Sequence, residues 1–233
     1  MQDSPVASID LSPVPTMTDR VFDTLYHAVV ALDLPPGTRL SEADTARHMN
    51  VSRQPVRDAF FRLSQLGFLS IRPQRPTLVT PIQPQAVMDA VFIRCAIEAE
   101  CLRMAVLHAD DAALALLHGN LREQAAVCDD ADRGPFHRLD EAFHRLLCEI
   151  AGHPHAWTLI QEQKAHMDRI RFMTLSLARR RAVLAEHRAV VEAIAARDVE
   201  RGEALLRAHL GAIGATLAQA RIDHPKFFVE DTQ

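Results

Sequence analysis

The sequence predicts a mainly α chain in two parts: an N-terminal head of short helices closed by a small β wing, and a C-terminal all-α helical bundle. Three observations carry this. Between residues 37 and 80, two short amphipathic runs meet at a tight turn, and two alternating stretches that read as strands follow. From residue 85 onward apolar residues recur at helical spacing with few breaks. Hydrophobic residues make up 48% of the 233, but aromatics only 5%, so the cores rest on Ala and Leu, as in helix packing. A chain of this length holds one large domain or two modest ones.

Residues 1–16 contain three Pro and three Ser without periodicity and read as a disordered arm. Residues 18–32 form an amphipathic helix through Val21, Leu25, Ala28, Val29 and Leu32, which would brace the head. The next helix starts near Ser41, with Glu42 and Asp44 in its first turn, where acids suit the helix dipole, and ends near His48. Met49-Asn50-Val51 is the turn, Asn50 being tolerant of the left-handed conformation. Ser52 is placed to cap the second helix, and Pro55 falls in its first turn, where a missing N–H costs nothing. Val56, Ala59, Phe60, Leu63 and Leu66 form one apolar arc before Gly67 stops the helix. Residues 68–71 and 77–80 alternate like strands, with Pro73-Gln74-Arg75-Pro76 as the tip of a two-stranded wing.

Arg53, Gln54 and Arg57 lie together beside that apolar arc, at the leading end of the second helix. In a helix-turn-helix this is the end that meets base edges. Arg suits guanine O6/N7 and Gln suits adenine N6/N7, because each can bond both atoms at once. Residues 37–80 hold seven Arg against three acids, while the whole chain carries −4. A basic head on an acidic protein is the footprint of a DNA-binding module. The alternative is an amphipathic hairpin with a solvated face. The runs Pro36-Gly37-Thr38-Arg39-Leu40 and Val51-Ser52-Arg53-Gln54-Pro55-Val56-Arg57-Asp58-Ala59, with Leu63 and Gly67, closely resemble the winged helix-turn-helix of the GntR family of bacterial transcription regulators. The chain departs from that pattern at Pro76, where a Gly is usual after the basic residue, and at Phe61, where a polar residue is usual and a contact with the wing or the second domain is expected. The candidate DNA contacts are Arg39, Ser52, Arg53, Gln54 and Arg57, with Arg75 at the wing tip.

The head is expected to span residues 17–81, a short linker 82–84, the bundle 85–222 and a loose tail 223–233. Helices are predicted at 85–107, 110–129, 135–151, 155–178, 181–197 and 199–220. Asp110 and Asp198 read as caps, and Gly152-His153-Pro154 as a break. From residue 81 on there are 18 basic and 22 acidic residues. No apolar run approaches the roughly 18 residues of a membrane span, and no signal peptide is evident. Cys95, Cys101, Cys128 and Cys148 form no CxxC pair and read as reduced thiols of a cytoplasmic protein. No Gly-rich phosphate loop or hydrolase motif occurs.

Asp140 and His144 are four residues apart and project from one helix face, a spacing that can grip a cation. A surface hydrogen bond is the plainer reading. His187 and His209 each stand eleven residues from Asp198, so an antiparallel hairpin sets them at one level. One carboxylate and three imidazoles suit Zn²⁺, with Ni²⁺, Mn²⁺ or Fe²⁺ as alternatives. His137, one heptad before His144, competes for the same face. Asp140-Glu141-Ala142-Phe143-His144, with His187 and His209 downstream, is similar to the FCD effector domain of the FadR-like GntR regulators. In many of those, one Asp and three His hold a metal. That resemblance selects Asp140, His144, His187 and His209 over His137, which has Arg133 rather than an acid four residues before it. It also aligns Arg94 and Glu98 with a first-helix Arg-x-x-x-Glu, and implies that Arg94, with Arg171 as a second candidate, receives the carboxylate of a small organic acid effector. The simpler role for Arg94 is an i,i+4 ion pair with Glu98. The expected protein is a dimeric, ligand-responsive reader of a palindromic operator, not an enzyme. Its rivals are a constitutive DNA-binding dimer with a purely structural bundle, and a metal-dependent hydrolase.

Overall fold

The structure, a computed structural model, describes residues 15–229. The arm expected over residues 1–16 lies outside these apart from its last two residues, as do residues 230–233 of the tail. Helix α1 (Met17–Val30) opens on a reciprocal cap: the Thr16 hydroxyl accepts from the Asp19 N–H and the Asp19 carboxylate accepts from the Thr16 N–H. Ser41 caps α2 (Glu42–His48), and Asn50 takes the left-handed conformation, φ 53°, in the turn. Helix α3 (Arg53–Gln65) follows Ser52, whose hydroxyl makes no capping bond, contrary to expectation. The reason is local. A cap serves the second or third helical N–H, and the third position here is Pro55, which has none.

Gly67, at φ +78°, ends α3: its N–H bonds Ser64 O and the Phe68 N–H bonds Leu63 O, while Phe68 and Leu63 join the same core. The wing differs from expectation. Strands β2 (Leu69–Ser70) and β3 (Thr77–Val79) pair as predicted, but β1 (Arg39–Leu40) adds a third strand on the far edge of β3. Two residues are too few to show alternation, so only the partner strand reveals β1: Val79 N bonds Thr38 O and Gly37 N bonds Val79 O. Val21, Leu25, Val29, Val56, Phe60 and Leu63 build the core of the head.

The bundle contains α4 (Pro84–His108), α5 (Asp111–Val127), α6 (Gly134–Ile150), α7 (Pro154–Gln163), α8 (Ala165–Met173), α9 (Leu177–Ala195), α10 (Val199–Gly211) and α11 (Ile213–Asp223). Asp110 and Asp198 cap α5 and α10 as expected. Two predicted helices are each divided. The 155–178 run breaks at Lys164, whose side chain is buried against Glu141 and Asp168. No Gly or Pro marks that break in the sequence; a buried ion-pair partner on another helix sets it. The 199–220 run divides at Ala212. The tail is not loose over its described part: a short 3-10 turn (Pro225–Phe227) leads to Phe228, which is buried, and residues 227–229 bond both backbone groups of Ile82. Gly202 of α10 lies where an added Cβ would stand 3.3 Å from Leu102 and 3.5 Å from Ala193, so α10 sits close on α4 and α9. That close seat brings His209 of α10 toward α6 and α9.

Helix α8 joins the two parts. Ala165 belongs to the core of the head, and Arg169 donates to Thr80 O and lies over the Phe68 ring. His166 accepts at Nδ1 from Arg169 (2.7 Å) and from the Gln83 N–H (3.3 Å). Burial, then the Arg169 charge, pulls its pKa from 6.5 to about 4. The unfolded chain therefore takes up this proton before the folded one does. The stabilisation is complete above pH 6.5 and is lost as pH falls toward about 4. We expect His166→Gln to flatten part of the fall in unfolding temperature between pH 7.5 and 5. Superimposable profiles for variant and wild type would assign the loss elsewhere.

Candidate metal centre and reading head

The exposed start of α3 carries Ser52, Arg53, Gln54 and Arg57. Arg57 is steadied by Glu42 of α2 (3.3 Å), and the Gln54 amide donates to Asp58 Oδ1 (2.9 Å). Arg39 is exposed on β1. Arg75 closes the wing turn, its N–H on Arg72 O, with Gln74 at φ 57° ahead of Pro76. Phe61 is 61% exposed, so it is not buried against the wing or the second domain.

In the bundle, Asp140 and His144 of α6, His187 of α9 and His209 of α10 converge. One ligand atom from each lies within 4.8 Å of all the others, and all four residues are buried. The Nε2 atoms of His144 and His209 are 3.2 Å apart, and His187 Nε2 is 3.7 Å from Asp140 Oδ1. Tetrahedral ligands at the usual zinc distances of about 2.1 Å stand roughly 3.4 Å from one another. His137, set aside on its sequence neighbours, falls instead in a second group with Glu141 and Asp168.

Each imidazole is held from behind. His144 Nδ1 donates to Glu98 Oε2 (2.6 Å), His209 Nδ1 to Glu186 Oε2 (2.6 Å) and His187 Nδ1 to Gln124 Oε1 (3.0 Å). The Gln124 amide is oriented in turn, its NH₂ donating to Asn120 and that of Asn120 to Leu139 O. With Nδ1 as donor, Nε2 is the ring nitrogen that each imidazole turns to the centre. His187 Nε2 is buried without a hydrogen-bond partner. Burial, then the neighbouring His209 and His144, pulls the His187 pKa well below its usual value. Burial also lowers that of His209 to about 4, against the pull of Glu186. Three imidazoles and one carboxylate facing one another form a donor set that a divalent cation fits. Phe143 stacks on His187 at 4.0 Å and fixes the ring plane.

A cavity of about 50 Å³ reaches Asp140 and His209 themselves and is lined further by Arg94, Arg171, Arg179 and His137, with two Thr and apolar side chains. Arg94 does pair with Glu98, through Nε, yet its Nη2 is buried with no partner. Burial would push the Glu98 carboxyl up, but Arg94 and His144 hold it well below the usual range. Arg171 bonds Asp140, Glu141 and Asp168. Arg179, which sequence reasoning missed, pairs with Glu186 (2.6 Å) and lines the same cavity. The supporting Gln124 and Glu186 were missed as well. Neither stands at a motif spacing, and only the folded bundle brings them to the imidazoles.

Residues 17–79 match the bacterial regulatory proteins of the gntR family, and residues 89–212 match the FCD domain. The chain belongs to the GntR family. The GntR chain is 33% identical over 222 residues to the HTH-type transcriptional repressor RspR of Escherichia coli, covering 95% of this chain and 97% of that protein. Its fold is similar to that of E. coli McbR/YncC, with TM-score 0.76 at 22% identity over 88% of this chain and 99% of that one. It is also similar to a structure described as the metal-free FCD domain of a transcriptional regulator, with TM-score 0.50 at 20% identity over 61% of this chain and 98% of that one. The protein is therefore a DNA-binding transcription regulator and not an enzyme. Among its described residues no helix is long and apolar enough to cross a membrane.

Proposed function

We propose that this GntR regulator senses a small organic acid through a divalent metal held by Asp140, His144, His187 and His209. The observation that carries this is the donor set itself. Three buried imidazoles turn their Nε2 atoms toward one carboxylate, and the Nε2 of His187 has no partner. The Nε2 atoms of His144 and His209 stand 3.2 Å apart, a separation that two ligands of one cation would show. Zn²⁺ suits the set, and Ni²⁺, Mn²⁺ or Fe²⁺ can take the same ligands. When bound, the metal supplies a Lewis-acid anchor for an anion. Arg94 supplies a free Nη2 to a carboxylate in the adjoining cavity, and a guanidinium fork suits bidentate binding. Arg171 shares that role from α8.

The reading surface is Arg39, Ser52, Arg53, Gln54, Arg57 and Arg75, all exposed, in a cytoplasmic homodimer whose two heads meet paired half-sites about one helical turn apart or a multiple of it. We divide the chain into a head at 17–81, a joint at 82–84 and an effector domain at 85–222. An acid that bridges metal and Arg94 shifts the population toward one head arrangement.

The test is thermal unfolding of metal-stripped full-length protein. Zn²⁺ should raise the unfolding temperature by several degrees, and some member of a small-acid panel should raise it further only with metal present. No response to Zn²⁺, Ni²⁺, Mn²⁺ or Fe²⁺ would leave a constitutive DNA-binding dimer with a structural bundle as the reading.

A further inference from the structure

Helix α8 carries a chain of polar contacts that runs from the cavity to the reading head. At one end the Arg171 guanidinium bonds the free oxygen of Asp140, Oδ2, and reaches Glu141 and Asp168. At the other end the Tyr26 hydroxyl of α1 donates to Asp168 Oδ2 at 2.9 Å. Lys164 shares the same Asp168 oxygen. Asp168 and Lys164 are almost wholly buried, while the contact with Tyr26 is part-buried, and the Tyr26 ring meets Phe68 edge-on. A buried polar network costs desolvation, and apolar residues would glue two domains together as well. Here it stands beside the apolar contact of Ala165 with the core of the head, on a helix that touches both the cavity and the head.

We propose that α8 is a lever between the two parts of the protein: Arg171 senses a cation at Asp140, and Asp168 passes the change to Tyr26 of the reading head. The inference rests on the metal reading above and names how that site is coupled to the DNA-binding end. A divalent cation on Asp140 sets positive charge beside the Arg171 guanidinium. Arg171 is repelled from Asp140 and keeps Glu141 and Asp168 as its partners. The Asp168 carboxylate, now 3.4 Å from Arg171, is drawn toward it and away from the Tyr26 hydroxyl. Helix α1 packs on α3, so loosening α1 frees the helix that reads DNA. An anion that joins the metal and neutralises its charge reverses the pull.

The experiment is amide hydrogen exchange on the full chain, with Zn²⁺ binding measured calorimetrically on the same samples. In wild type, saturating Zn²⁺ should speed exchange in α1 by about fivefold or more, the low end of ordinary coupling between sites. Tyr26→Phe keeps the ring against Phe68 and removes only the hydroxyl. Its α1 should exchange faster from the start and show no further response, while Zn²⁺ binds as in wild type. Zn²⁺ that binds without speeding α1 in wild type overturns the lever and leaves the metal reading standing. So does a Tyr26→Phe protein that responds as wild type does. Absence of Zn²⁺ binding in wild type overturns both.

Discussion

Replacing Glu98 with Gln is expected to destabilise the protein by about 3–5 kcal/mol, the range for breaking a buried ion pair from one side. Glu98 has no solvent exposure and holds two partners, Arg94 through Oε1 and His144 through Oε2. The amide offers one acceptor and turns a donor toward another donor. Arg94, 2% exposed, is then a buried cation without its counter-ion. For a chain of this size the loss lowers the unfolding temperature by roughly 2–4 °C per kcal/mol. Metal affinity should fall as well, by about 10–100-fold, because the hydrogen bond that sets the His144 tautomer is gone. Urea unfolding and Zn²⁺ titration read the two effects separately. Full stability in the variant would show that Arg94 finds another partner. Unchanged affinity would show that His144 does not depend on Glu98 for its orientation.

The second large effect is on the output side. Changing Arg53 and Arg57 together to Ala should weaken operator binding by about 2–6 kcal/mol, since each base-edge contact contributes roughly 1–3 kcal/mol. Both side chains are exposed at the leading end of α3, so folding and metal content should stay near wild type. Salt dependence separates the two kinds of contact. A residue on a phosphate lowers the slope of affinity against salt by about one, while a residue on a base relaxes preference at one position. Operator affinity equal to wild type at every salt concentration would move the recognition surface off this helix.

The reading head was legible because its signals are local. A Ser or Asn at a turn, a Pro in a first turn and a Gly at a helix end act within a few residues, and Asn50 and Gly67 take the left-handed backbone that their types suggest. The cap at Ser52 is absent for an equally local reason, Pro55 at the third helical position. Strand β1 was not readable, because two residues carry no period and only β3 gives them a role. The break at Lys164 and the docking of Phe228 on Ile82 are likewise decided by partners far along the chain.

The candidate metal site divides in the same way. Spacing alone puts Asp140 with His144, and hairpin symmetry puts His187 level with His209, because helix geometry converts sequence distance into position. What spacing could not convey is which groups stand behind those ligands. Glu98, Gln124 and Glu186 reach the imidazoles from α4, α5 and α9, and Arg179 joins Arg94 and Arg171 at the cavity. The sequence by itself determined the family, the head with its basic reading helix, and the four converging residues. Only the tertiary structure decided the partners of each Nδ1, the unpartnered Nε2 of His187 and the polar contacts along α8, because those depend on contacts between helices whose mutual placement has no periodic signature.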